Sequence, residues 1–296
     1  MNSSLTSINF SDGKRGKLII SPHTAYKNEL ENWVKSNSYS AFENEDFRMQ
    51  RHTRKRNKLY TFNHPITKKE VILKVSAIDN QYKFLRRTNL TLSTLFSDYN
   101  LRAFKGALLL QAIEVECPTP LMYWVEKNSI FVKKSYYMYE KVQADHSLFT
   151  FSELLAKNNH TKSQEIYKQL ATKTINIIKR IHDAGFRQGD PHPGNFLVTS
   201  SNKVHDGTSK INAEDIHMFI IDLDKFSIAK PLGKTLKRFF DLRCMRRCTL
   251  GPYNQTEMLK FYLQDEYSRA WNMVVHFWMR GGFNPFKWFK KPKRGR

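Results

Sequence analysis

Gln188-Gly189-Asp190-Pro191-His192-Pro193-Gly194-Asn195, running into Phe196-Leu197-Val198, is the stretch on which the reading of this chain turns. An Asp and an Asn stand in a D-x-x-x-x-N pattern, in a loop restricted by two prolines and a glycine and ended by an apolar strand. Downstream, Phe219-Ile220-Ile221-Asp222-Leu223-Asp224 carries a second Asp out of a short apolar run. Phosphoryl transfer asks for these groups. It needs a carboxylate to orient or deprotonate the attacking hydroxyl, oxygen ligands for Mg²⁺, and a cation on the nucleotide phosphates. Carboxylate and amide oxygens are hard donors suited to Mg²⁺. An isolated D-x-x-x-x-N arises by chance in many proteins. The ordered set Lys74, Asp190, Asn195 and Asp222, each in a suitable local pattern, is harder to assign to coincidence.

Working outward, the residues before the loop read as a helix over 163–183, with Ile166, Leu170, Ile177, Ile178 and Ile181 on one face and Gly185 as its stop. Thr150-x-x-Glu153 reads as a capping box opening a shorter helix. Further upstream, strand-like runs at Leu59–Phe62, Glu70–Val75, Leu121–Val125 and Ser135–Val142 surround a helical stretch from about Ser93 to Glu114. Phe196–Val198 and Met218–Asp222 are two more short strands. Residues 1–45 are mixed and polar, and everything after about Pro231 reads as helical and basic. The order predicts an α+β fold of two lobes: an N-terminal lobe over 1–142, a helical C-terminal lobe over 143–278, and a basic aromatic tail over 279–296.

The D-x-x-x-x-N loop followed by a strand and a hydrophobic-hydrophobic-Asp resembles the catalytic and metal-binding loops of the protein-kinase-like superfamily. More closely, Ile181-His182-Asp183-Ala184-Gly185-Phe186 with Gln188–Asn195 resembles the bacterial lipopolysaccharide-core sugar kinases, the heptose and Kdo kinases. Val71-Ile72-Leu73-Lys74-Val75, Cys117-Pro118-Thr119-Pro120 and Ile220-Ile221-Asp222-Leu223-Asp224-Lys225 are similar too. The resemblance covers residues 45–250. It implies a bilobal fold with a small antiparallel sheet and one main helix in the N-terminal lobe, and ATP and Mg²⁺ as cofactors. It implies Asp190 as catalytic base, Asn195 and Asp222 as Mg²⁺ ligands, and Lys74 on the ATP phosphates. Glu140 and Val142 would meet adenine through their backbone. The implied reaction phosphorylates a sugar hydroxyl of the lipopolysaccharide inner core, a heptose in the first instance. The alternatives are a Kdo kinase and an aminoglycoside-like small-molecule kinase. From a different class come a pseudokinase and a basic anion- or nucleic-acid-binding protein. The atypical kinases tied to ubiquinone synthesis share Asp-Pro-His-Pro-Gly-Asn, but their N-terminal signature is absent.

Several positions depart from the superfamily pattern. Gln188 stands where a His usually opens the loop. No G-x-G-x-x-G precedes Lys74; the matching place holds the basic Arg51–Lys58 run. No glutamate lies mid-helix to pair with Lys74, since Lys105 is near that place and Glu114 and Glu116 are too close to the helix end. The A-P-E segment that helps protein kinases hold peptides is missing, which favours a small or glycan substrate. Plainer roles compete with functional ones. Lys74 would serve as an edge-strand lysine, His182 as a packing or helix-end residue, His192 as a turn stabiliser, and Asp224 as a loop group meeting solvent. The basic run Arg48–Lys58 would be a solvated face or a phosphate neighbour.

Composition bounds the rest. A net charge of +22 over 296 residues calls for an anionic partner. An anionic lipid-linked glycan acceptor at a membrane surface meets that demand, and no nucleic-acid module is recognisable. Three cysteines, Cys117, Cys244 and Cys248, form no C-x-x-C, so a disulfide framework or zinc site is not expected. No signal peptide or spanning apolar run is read. The expectation is a cytoplasmic protein, peripheral on the inner face of the inner membrane. There the tail's Phe283, Phe286, Trp288 and Phe289, among seven Lys or Arg between Arg280 and Arg296, would dock on anionic lipid.

Overall fold

In Glu70–Ala77 the apolar Val71, Leu73 and Val75 alternate with Ile72, Lys74 and Ser76, and in the computed structural model of the chain this segment is an interior strand. The structure describes residues 6–10, 15–36, 48–53, 57–77, 98–128, 131–144, 146–157, 161–200, 216–228, 238, 241–242 and 255–263. Its elements in order are β1 (Thr6–Asn9), β2 (Arg15–Ile20), α1 (Lys27–Ser36), β3 (Arg48–Thr53), β4 (Asn57–Asn63), β5 (Glu70–Ala77), α2 (Tyr99–Ala112), β6 (Pro120–Asn128), β7 (Phe131–Glu140), β8 (His146–Ser147), α3 (Leu148–Lys157), α4 (Thr161–Asp183), β9 (Phe186–Arg187), β10 (Phe196–Ser200), β11 (Ile216–Ile220), β12 (Ser227–Ile228) and α5 (Gln255–Leu263). Single 3₁₀ turns occupy Pro193–Asn195 and Leu223–Lys225. The chain divides into two compact units, residues 1–143 with 219–227, and 144–218 with 228–296. The segment carrying Asp222 and Asp224 therefore belongs to the first unit.

The first unit is built on a seven-stranded sheet in the order β1-β2-β6-β7-β5-β4-β3. The pairings from β1–β2 across to β4–β3 are antiparallel. Because side chains alternate along a strand, the register sorts residues onto two faces. Leu73, Val75, Met122, Trp124, Tyr136 and Met138 fall on one, and α1 adds Leu30 and Val34 to their core. Trp124 and Tyr136 are opposite each other and stack at 4.7 Å. Lys74, Tyr137 and Tyr123 fall on the other face, against α2, where Phe104 meets Tyr137 edge-on at 6.0 Å. The expected strands at 59–62, 70–75, 121–125 and 135–142 correspond to β4, β5, β6 and β7. β1, β2 and α1 lie in the stretch read only as mixed and polar. α1 is short and its two buried residues, Leu30 and Val34, give a weak stripe. β3 runs through the basic stretch; residues 54–56 of that stretch are outside the described residues.

The second unit is carried by α4, whose Ile166, Leu170, Ile178 and Ile181 are buried, as the helical spacing required. Gly185 ends it at φ 85, with its N–H on the His182 carbonyl. The opening of α3 corrects one expectation. Ser147, not Thr150, is the cap: Thr150 N donates to Ser147 Oγ, and Ser147 N donates to Thr150 Oγ1. Thr150 thus takes the place of the Glu in a capping box. β8 and β10 pair antiparallel, with Leu197 opposite Ser147. Among the described residues no helix is long and apolar enough to cross a membrane. The C-terminal tail, with Cys244 and Cys248, falls outside the described residues.

Candidate active site

The loop after α4 is pinned from beneath by one buried carboxyl group. Asp241 is fully buried and accepts the N–H groups of Gln188 at 2.8 Å and Gly189 at 3.0 Å. Its Oδ2 is also 3.2 Å from His182 Nε2, and His182 Nδ1 is 2.7 Å from the Tyr262 hydroxyl. Gly189 sits at φ 92, a backbone state that a side chain would oppose, so glycine is required where the chain turns into Asp190. Above this base the loop closes on itself. Gln188 Oε1 accepts the Asp190 N–H, and Asn195 Nδ2 donates to the Asp190 carbonyl at 2.8 Å. His192 Nδ1 accepts from Gly194 N at 3.0 Å, and a Cβ on Gly194 would stand 2.8 Å from the His192 ring. His192 is therefore a turn stabiliser, the plainer role expected for it.

With its Nδ2 spent on the backbone, Asn195 keeps its amide oxygen for another partner, and the residue is 7% exposed. Asp190 is half-buried on a backbone fixed at both ends of the motif. The missing loop histidine is thus replaced in part by Gln188, which is fully buried and uses its amide oxygen to hold Asp190.

In the first unit the structure gathers Lys74 with Asp222 and Asp224. Lys74 Nζ lies 3.4 Å from Asp222 Oδ1 and 2.5 Å from Asp224 Oδ1. Asp222 leaves β11 in the left-handed region, φ 56 and ψ 62, an uncommon state for a non-glycine residue and one that recurs at functional sites. It precedes a 3₁₀ turn but makes no capping bond with its side chain, which is 50% exposed. Burial first, and then the Asp222 and Asp224 charges, raise the Tyr139 hydroxyl above the ordinary phenol range. Burial likewise raises Tyr137, with smaller additions from Cys117, Tyr139 and Asp224. Both phenols face the carboxylates as neutral groups. Cys117 is a buried thiol whose pKa burial pushes up to about 12, so it is unreactive.

Glu140 ends β7 and Val142 lies two residues beyond it, in the same unit. Glu140 N donates to the Thr119 carbonyl at 2.9 Å, and its carboxylate is held by Lys69 Nζ at 2.8 and 2.9 Å. Val142 is half-buried beyond the strand. Lys105 is exposed, and α2 holds no acidic residue at all.

Among the described residues no three His, Cys, Asp or Glu side chains gather into a preformed metal cage. Mg²⁺ keeps water and is typically bound through one or two carboxylates plus substrate phosphates. Asp222 and the Asn195 amide oxygen are donors of that kind.

Sequence reasoning missed Asp241, Tyr262, Asn100 and Arg102, and it placed Asp224 in solvent. Asp241 had a signal, being the lone acid among the seven Lys or Arg of residues 230–247. Asp224 had none, because its burial depends on packing against α2.

A model of the lipopolysaccharide kinase (Kdo/WaaP) family matches residues 82–262, more than half of the chain. No curated protein matches it in sequence. The solved structure "WaaP in complex with acyl carrier protein" superposes with a TM-score of 0.60 at 16% identity, covering 92% of this chain and 99% of that one. A Toxoplasma gondii rhoptry antigen kinase domain matches with a TM-score of 0.40 at 9% identity, over 94% of this chain and 79% of its own. The likeness to WaaP shows a protein-kinase-like α+β fold. The family match covers α2, the Asp190 loop and the Asp222 turn, and by it the chain belongs to the lipopolysaccharide kinase (Kdo/WaaP) family of phosphotransferases.

Proposed function

We propose that this chain transfers the γ-phosphate of ATP, with Mg²⁺, to a sugar hydroxyl of the lipopolysaccharide inner core, and that the acceptor is a heptose. The observation that carries the reading is the Asp190 loop. Its backbone is fixed from three directions, by Asp241 below, by Gln188 Oε1 and by Asn195 Nδ2. A general base gains from such fixing, because a misplaced base loses most of its effect. Asp190 accepts the proton of the acceptor hydroxyl as that oxygen attacks. Lys74 supplies positive charge to the nucleotide phosphates. Asn195 and Asp222 offer oxygen ligands to Mg²⁺, which when bound neutralises phosphate charge. Adenine meets the segment at the end of β7, where Glu140 has committed its N–H to Thr119 and offers its carbonyl, and Val142 offers its backbone.

The net charge of +22 supports an anionic lipid-linked acceptor at the inner face of the inner membrane, with the protein held there peripherally. Mass spectrometry of the lipopolysaccharide core, with and without the protein, tests the acceptor. The expected result is a phosphate on heptose that disappears with the gene. A phosphate lost from Kdo would replace the heptose assignment by the Kdo-kinase alternative. An unchanged core would overturn both. Flotation with anionic vesicles tests the membrane role: loss of residues 279–296 should abolish salt-sensitive binding and spare ATP binding.

A further inference from the structure

We infer that Asp224 is the carboxylate that positions Lys74 for the nucleotide phosphates, in place of the α2 glutamate that the family resemblance leads one to expect. This rests on Lys74 being the phosphate-binding lysine of the proposed reaction. The sequence Tyr99–Ala112 contains no acid, so α2 offers Lys74 no partner. The nearer of the two carboxylates to Nζ is that of Asp224, 2.5 Å away against 3.4 Å for Asp222. The two also differ in surroundings. The Asp224 side chain is 17% exposed and that of Asp222 is 50% exposed. A charge pair screened from water is stronger and better oriented than an exposed one. Lys74 is itself only 8% exposed, so its ammonium needs a fixed counter-charge when no phosphate is bound.

Helix α2 still sets this pair, but through backbone groups. At its start Asn100, fully buried, donates through Nδ2 to the Lys74 carbonyl at 3.4 Å and to the Ser135 carbonyl at 2.8 Å. Two residues along, Arg102 Nη1 donates to the Asp224 carbonyl at 3.3 Å. At Gly106 the helix meets Phe226 so closely that a Cβ would stand 2.9 Å from Phe226 Cγ. Leu223 and Phe226, on either side of Asp224, are both buried. The helix thus holds the strand of the lysine and the turn of the aspartate at once. Asp224 serves as counter-ion, and Asp222, half exposed and not used as a cap, keeps its metal-binding role.

A double-mutant cycle tests the assignment by Mg·ATP affinity, measured by calorimetry on the full chain as wild type, Lys74→Met, Asp224→Asn and the double variant. Asp224→Asn should weaken Mg·ATP binding about tenfold in the wild-type background and change it less than about twofold beside Lys74→Met, because a residue acting through another has no effect once that other is gone. The Mg²⁺ concentration needed for binding should not change, and Asp224→Glu should recover part of the loss. Without nucleotide, Asp224→Asn should lower Tm and the double variant should regain part of the loss, since removing one partner of a screened pair costs more than removing both. Should Asp224→Asn fail to fold, Arg102→Ala carries the same cycle, because it loosens the Asp224 turn while leaving both charges. Equal losses in both backgrounds, or a raised Mg²⁺ requirement, would overturn the role of Asp224 and leave the nucleotide reading intact. No Mg·ATP binding by the wild type would instead sink the nucleotide reading of Lys74, whatever the Tm cycle shows.

Discussion

Asp241 in the second unit and Asp222 in the first are both aspartates beside a proposed reacting group, and they are held in opposite ways. Asp241 is fully buried and spends its oxygens on two loop N–H groups and His182. Asp222 is half exposed, in a left-handed turn, with its side chain uncommitted to capping and 3.4 Å from Lys74. The first is architecture: a carboxyl group held by two backbone N–H donors and by the His182 and Arg187 side chains cannot be exchanged for a ligand without unmaking the loop. The second is a group in reserve, paired with a cation that a nucleotide can also engage. A kinase-like chain needs both kinds. The loop that carries the base must not move, whereas the lysine and metal-binding groups must change partners as substrate arrives.

The sharpest break of this comparison comes from Asp190→Ala, which should lower turnover about 10²–10⁴-fold, the usual cost of losing a general base. Its thermal stability should stay near wild type, because the loop bonds to Gln188 and Asn195 are made by the N–H and carbonyl of Asp190, which alanine keeps. Near-normal phosphorylation by this variant would remove Asp190 from its role. Asp241→Ala should destabilise by about 3–5 kcal/mol, as buried polar partners lose their acceptor. Urea unfolding reads this directly, and a loss under about 1 kcal/mol would place the loop's anchorage elsewhere. Asp222→Ala should cost less than about 1 kcal/mol of stability, in keeping with an exposed partner, yet abolish Mg²⁺-dependent ATP binding. If it unfolded the protein as Asp241→Ala does, the contrast between the two aspartates would collapse.

The smallest effect lies far from either loop. His64 is packed against Trp33 at 4.6 Å, and its Nδ1 accepts from Ile66 N and Thr67 N. Burial lowers its pKa to about 4. The unfolded chain therefore binds this proton more readily than the folded one, so stability falls as pH drops from about 6.5 to about 4 and levels off below. The loss should be on the order of 1–2 kcal/mol once solvent screening is allowed for. His64→Asn, which keeps an acceptor for the turn, should be flatter across that window. An equal slope in both proteins would assign the pH response to other groups.

The candidate loop from Gln188 to Asn195 was legible because its pattern lies in short spacing. Asp190, Asn195 and the strand that follows are neighbours in sequence, and the proline and glycine restraints are local. Lys74 was legible through the alternation of β5, and the length of α4 through its apolar stripe and Gly185. β1, β2 and α1 were not. Their apolar residues are few, and only the sheet they join tells which face each covers.

The sequence by itself determined β4 to β7, the main helices α2 and α4 and the order of the candidate groups along the chain, since these follow from periodicity and from spacing within a few residues. Only the tertiary structure decided which charges are partners. Asp224 meets Lys74 from 150 residues away, and Asp241 meets Gln188 from 53. Nothing local in Leu223-Asp224-Lys225 or in Phe240-Asp241-Leu242 separates a buried counter-ion from a solvated acid. The difference comes from what packs over each one, Gly106 and Arg102 of α2 for the first unit, His182 of α4 and Tyr262 of α5 for the second. Burial sets the strength of a charge pair, and burial is a property of the assembled chain.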